Sequence, residues 1–151
     1  RQRQMCIRDR MQTLLENLYK QETTFGETDF SALCGHLGKH VNKRSFLVLY
    51  TNFSNMTSLN RQLVYLQQLA RQHRVLVVFF EDADLKEYIA GKSVTTEDYY
   101  RHVIAEKFAF EKRLIVSTLK QHGIYSLLTT PDKLSIDVIN KYLEMKSRQL
   151  L

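Results

Sequence analysis

The sequence predicts an α/β fold, a three-layer sandwich built around parallel strands, on three observations. Three short, unbroken apolar runs, 46–51, 75–81 and 124–130, are rich in strand formers and lack the alternation of a half-exposed strand. The segments between them carry apolar residues every three to four positions, as helices do. Strands alternating with helices make βαβ units, whose crossovers are right-handed and whose strands lie parallel.

Taken in order, Leu14, Leu15, Leu18 and Tyr19 predict a short helix over 11–21, followed by a turn at Thr23-Thr24-Phe25-Gly26. Thr28-Asp29 opens a second helix with Phe30, Leu33, Leu37 and Val41 on its apolar face. Phe46 to Thr51 is the first strand, and Thr57-Ser58 starts a helix carrying Leu59, Leu63, Leu66 and Ala70 on one stripe. Val75 to Glu81 is the second strand. Asp82 caps a short helix, Asp84 to Ala90, which Gly91 closes. Thr95-Thr96 caps the longest helix, about 97–122, with Val103, Ile104, Phe108, Phe110, Leu114, Ile115 and Leu119 as a wide core face. Gly123 stands where a left-handed residue ends a helix. Ile124 to Thr130 is the third strand, Pro131 stops it, and Ser135 caps a last helix bearing Val138, Ile139, Tyr142 and Leu143.

Composition bounds the class. With 44% hydrophobic and 25% charged residues in 151, the chain is one globular domain and not a disordered or fibrous one. Its longest apolar runs are far shorter than the roughly 20 residues of a membrane span. The first ten residues, RQRQMCIRDR, show no periodicity, and "MCIRDR" resembles a translated sequencing-library adapter. Residues 1–10 are therefore expected to be non-native and are set aside from the fold. They hold four arginines against one aspartate, half of the formal +6, so the basic balance is poor evidence for nucleic acid, and no nucleic-acid partner is expected. They also hold Cys6, which leaves Cys34 alone and fits a reducing, cytoplasmic compartment, although a full-length protein with a membrane anchor remains compatible.

Three strands make a small parallel sheet, and two helices precede the first of them. A parallel sheet needs its faces and edges covered. Further strands are therefore expected upstream, with residues 11–151 the C-terminal part of a longer domain. Ligands of open parallel sheets bind beyond the carboxyl ends of the strands. Three polar groups fall there: Thr28-Asp29, Thr51-Asn52, and Glu81-Asp82 with Asp84.

The ordered set "LLENLYKQETTFGETDFSAL", "RSFLVLYTNF" and "LVYLQQLARQHRVLVVFFEDADL" resembles the C-terminal half of a von Willebrand factor A-like domain. More narrowly it is similar to the bacterial proteins of domain of unknown function 58. The tail "AEKFAFEKRLIVSTLKQHGIYSLLTTPDKLSIDVINKYLEMKSRQ" resembles the Bacteroidetes-type members. The resemblance implies a Rossmann-like sheet of order 3-2-1-4-5-6 whose last three strands are these. It also implies a metal-ion-dependent adhesion site, in which Mg²⁺ is held by hydroxyl and carboxylate oxygens from three loops and leaves a position for a partner's acidic residue. Hard oxygens on loops suit that ion. The first such loop, Asp-x-Ser-x-Ser, is not in this chain. Thr28 matches the second loop's threonine. Thr51-Asn52 matches the third loop's Thr-Asp, with Asn52 in place of the aspartate and Phe53 where glycine is common. Thr28 and Asn52 are thus the implied metal residues of a degenerate site. Mg²⁺ is expected only in a full-length protein, and none in the present residues. A structural role competes for the same groups, since Thr28 or Asp29 and Thr57 are good helix caps and Asn52 suits a turn.

Other constellations carry less. His36 and His40 have a helical i, i+4 spacing that suits zinc only with a third ligand, and Cys34 has no activating base beside it. Gly35-His-Leu-Gly38 lies inside a helix, not after a strand, so no phosphate loop is present. The aromatic residues of the long helix are expected in the core and not as a base-stacking platform. The resulting expectation is a non-catalytic protein-binding module that docks a partner at the carboxyl edge, with Asp29, Thr51, Glu81 and Asp82 contacting it. Proteins similar to it are associated with MoxR-type AAA+ ATPases, so such an ATPase or its client is the implied partner, in protein assembly or maturation. The competing expectation is an α/β hydrolase or nucleotide-binding enzyme whose catalytic loop lies upstream.

Overall fold

A computed structural model describes residues 2–22, 28–53, 55–81 and 95–150. The fold is α/β: α1 (Gln2–Tyr19), α2 (Phe30–His40), β1 (Phe46–Tyr50), α3 (Met56–Gln72), β2 (Arg74–Phe80), α4 (Thr96–Gln121), β3 (Tyr125–Thr129), a 3₁₀ turn at Pro131–Lys133 and α5 (Leu134–Ser147). The expected turn at 23–26 lies outside the described residues, and so does the short helix 84–90 with Asp82.

The three strands are parallel in the order β1-β2-β3. Each begins and ends within a residue of the apolar run that predicts it. Backbone bonds extend the ladder at its carboxyl end, where Thr51 N–H donates to Val78 O (3.0 Å) and Glu81 N–H to Thr129 O (2.9 Å). β2 is central, and its residues Val75 to Phe79 are buried on both faces, which is why it reads as a continuous apolar run. On one face Val75, Val77 and Phe79 form the core with Leu59, Leu66 and Leu69 of α3, Ile115 and Leu119 of α4, and Phe30 of α2. On the other, α5 contributes Met145, and Tyr142 packs its ring on Phe46 at 5.8 Å.

Helix ends follow side-chain chemistry. Asp29 caps α2 by accepting from Ala32 N–H at 2.9 Å, and Thr95 and Asp98 form a reciprocal capping box on α4. The cap of α3 is Asn55, not Thr57, with its Oδ1 on Ser58 N–H at 2.9 Å, because the helix begins one residue before Thr57. Ser135 is not a cap either: the turn after Pro131 runs directly into α5, so Ser135 is already inside helix. Gly123 has φ +72, the left-handed terminator expected.

One sequence expectation, the core face of α4, fails in an instructive way. Residues 2–10, set aside above as non-native, continue α1 as helix. The α1 residues Leu14, Leu15, Leu18 and Tyr19 share a face, yet all are more than half exposed. Of the expected core face of α4, only Ile115 and Leu119 are fully buried, while Val103, Ile104, Phe108, Phe110 and Leu114 are exposed. The reason is length. At 26 residues α4 is about 39 Å long, whereas strands of 5 to 7 residues span about 17–23 Å. A helix that long has no sheet under its far half. In α5, Ile139 and Leu143 are exposed as well.

Among the described residues β1 pairs only with β2, so its outer edge carries unpaired backbone groups. An apolar strand edge of this kind templates pairing with another chain. The chain is predicted to self-associate at micromolar concentration, and Tyr50→Lys, at an exposed position of that strand, to shift it toward monomer. Light scattering coupled to size exclusion reads the outcome; a monodisperse wild-type monomer contradicts it.

Candidate functional site

The carboxyl edge of the sheet is organised by an aromatic pair. Phe30, first residue of α2, stacks on Phe53, which follows β1, with ring centroids 6.1 Å apart. Both rings are buried. That contact brings the start of α2, with Thr28 and Asp29, to the loop that holds Thr51 and Asn52. Four of the six sequence-predicted residues are brought to one edge by this contact. Glu81 lies at the same edge beyond β2, and Asp82 lies outside the described residues. Asp29 is engaged as the α2 cap, so its carboxylate has a structural task already. Thr28 is exposed, and Thr51 is half-buried, held by its backbone bond to Val78.

The residue that sequence reasoning missed is Lys112. Its ammonium donates to Asn52 Oδ1 and to Phe53 O (3.0 Å), and sits 6.0 Å from the centre of the Phe79 ring. Partial burial pulls its pKa below the ordinary lysine value, since desolvation disfavours the charged form. A signal for it existed in the sequence. Ala105, Phe108, Lys112, Ile115 and Leu119 follow one another at intervals of three and four, so Lys112 is a charge placed inside the apolar stripe of α4.

This contact decides how the site treats a cation. The oxygen that the resemblance assigns to Mg²⁺, Asn52 Oδ1, accepts from an ammonium. A dication on that oxygen would face a like charge at hydrogen-bond range. The donors present, a threonine hydroxyl and a neutral amide already bonded to Lys112, do not fit Mg²⁺. Among the described residues no group of three His, Cys, Asp or Glu side chains could hold a metal.

The remaining constellations keep structural roles. His36 and His40 stack with centroids 4.4 Å apart. Cys34 Sγ donates to Tyr65 O at 3.6 Å, and burial pushes the thiol pKa up, opposite to what a nucleophile needs. At the amino end of the sheet a cavity is lined by Gly38, Val41, Asn42, Lys43, Arg44, Gln72 and His73, away from the strand ends where the candidate residues meet. No helix among the described residues is long and apolar enough to cross a membrane. No protein-family model, curated protein or solved structure matches the chain.

Because Lys112 has a lower pKa folded than unfolded, the folded chain releases that proton first as pH rises. In that window the unfolded state binds more protons, so stability rises with pH, from the folded pKa up to the ordinary lysine value of about 10.4. Urea denaturation of the wild type and Lys112→Met across the alkaline range is predicted to show a gain with pH that the variant lacks. Parallel pH profiles would contradict this.

Proposed function

We propose that this chain is a non-catalytic protein-binding module, part of a von Willebrand A-like domain, that docks a partner at the carboxyl edge of its sheet. The observation that carries the reading is the course of α4. Lys112 lies at that edge, and the helix then runs toward β3, so residues 96–111, about 24 Å of helix, project beyond the strands. This arm exposes Tyr99, Tyr100, Val103, Ile104, Phe108 and Phe110, each 42–71% accessible, with Ala105 its buried exception. Exposed apolar and aromatic residues grouped on one helix mark an interaction surface better than they mark a catalytic cleft. Parallel strands in simple sequential order, with β1 unpaired on its outer side, also suit the last three strands of a Rossmann-like sheet. The resemblance in the sequence supplies the partner class, a MoxR-type AAA+ ATPase or its client, in assembly or maturation of other proteins in the cytoplasm.

The test is co-purification with a MoxR-type ATPase from the genome that encodes this chain. The wild type is predicted to capture it, and the double variant Tyr100→Asp, Ile104→Asp to capture at least about tenfold less, the loss expected when anchors of an interface are charged. Capture unchanged by the double variant, or absent for the wild type, defeats the reading.

A further inference from the structure

The position of Lys112 leads beyond a general docking edge. An ammonium has three donors. Two of those on Lys112 are taken by uncharged oxygens, Asn52 Oδ1 and Phe53 O. Among the described residues no carboxylate pairs with it, although the neighbouring exposed surface of α4 carries ordinary ion pairs such as Arg101–Glu97 (2.6 Å). A half-buried positive charge is therefore held in place by neutral acceptors, and among the described residues one N–H and the charge itself have no carboxylate partner. Hydrogen bonds to a charged donor are stronger than neutral ones, so two of them keep the ammonium here without cancelling its charge.

We infer that Lys112 stands where a divalent cation would otherwise complete this edge, and that its ammonium receives the carboxylate of a partner protein directly, with no metal ion. The inference rests on the docking reading above and names the chemistry that the edge selects. The surroundings define the occupant. The arm of α4 beside Lys112 is apolar and aromatic, so the carboxylate belongs to an aspartate or glutamate carried on an otherwise apolar segment. A phosphate or a nucleic-acid backbone is a poor match. Such groups are bound by several converging N–H donors or a basic cluster. Here one ammonium N–H is on offer, and the same arm carries Glu97, Asp98, Glu106 and Glu111 against Arg101 and Lys107, which is no basic cluster. The single lysine is also suited to the task, because a compact point charge can serve two fixed oxygens and one incoming one.

The experiment uses the whole chain and a fluorescein-labelled nonapeptide of leucines and alanines with one central glutamate, alongside its glutamine twin. Binding is read by anisotropy in EDTA and again with added Mg²⁺. In parallel, trace acetylation followed by mass spectrometry reports the reactivity of Lys112 relative to Lys107 and Lys120. The glutamate peptide is expected to bind and to protect Lys112 from acetylation in EDTA, with the glutamine twin about tenfold weaker, equivalent to about 1.4 kcal/mol. Mg²⁺ changes neither result, and Lys112→Met binds both peptides equally. Acetylation protection is measured on the wild type, so it stands even where the variant folds poorly. Binding that requires Mg²⁺, equal binding of the twins, binding by neither, or equal protection by inorganic phosphate overturns the inference. If one of these occurs while charging Tyr100 and Ile104 still abolishes ATPase capture, only the carboxylate assignment falls; if capture is indifferent to those substitutions, the docking reading falls with it.

Discussion

Two residues, Ile115 and Leu119, determine how α4 lies on the sheet. Both are fully buried against the core face of β2, and their spacing of four places them on one side of the helix. Their contact fixes the rotation of α4 and its shift along the strands together. Lys112 lies one turn earlier on the same stripe and so falls at the carboxyl edge. Everything before it runs past the end of the sheet, because the helix is longer than the strands it covers. The projecting arm and the placed ammonium are both consequences of that one packing contact.

The chemistry of the edge is internally consistent. A lysine inside an apolar stripe loses hydration, and the loss is tolerable only where acceptors meet the ammonium. Asn52 Oδ1 and Phe53 O supply them. An aspartate at position 52 would make a neutral ion pair with Lys112, whereas asparagine holds the ammonium and leaves its charge intact. Asn52 and Lys112 therefore act as one unit: the first supplies a neutral acceptor and the second a positive charge. Phe53, beside them, is committed to the core through its stacking on Phe30. The neighbouring backbone is thereby held still while the polar groups face outward.

Much of this was legible in the residues. The three strands, their parallel arrangement and the caps Asp29 and Thr95 follow from unbroken apolar runs, helical periodicity and short polar side chains at helix starts. The gathering of Thr28, Asp29, Thr51 and Asn52 at one edge follows from their places at the ends of elements. What periodicity could not tell is how far each apolar face is covered. A stripe identifies a side of a helix and says nothing of whether sheet lies under its whole length. That is why Ile104 and Phe108 are exposed where the stripe predicts packing. Lys112 was overlooked for a related reason. It is 60 residues from Asn52 in sequence, and its meaning emerges only once the register of α4 on the sheet is known.

The central claim is that Lys112 and Asn52 are energetically coupled at the carboxyl edge. A double-mutant cycle of Lys112→Met and Asn52→Ala, followed by urea denaturation near neutral pH, measures this directly. The account predicts a coupling of about 1 kcal/mol or more, as contacting residues in one hydrogen-bonded unit show; additivity within about 0.3–0.5 kcal/mol would mean that the two side chains do not hold one another, and would contradict it.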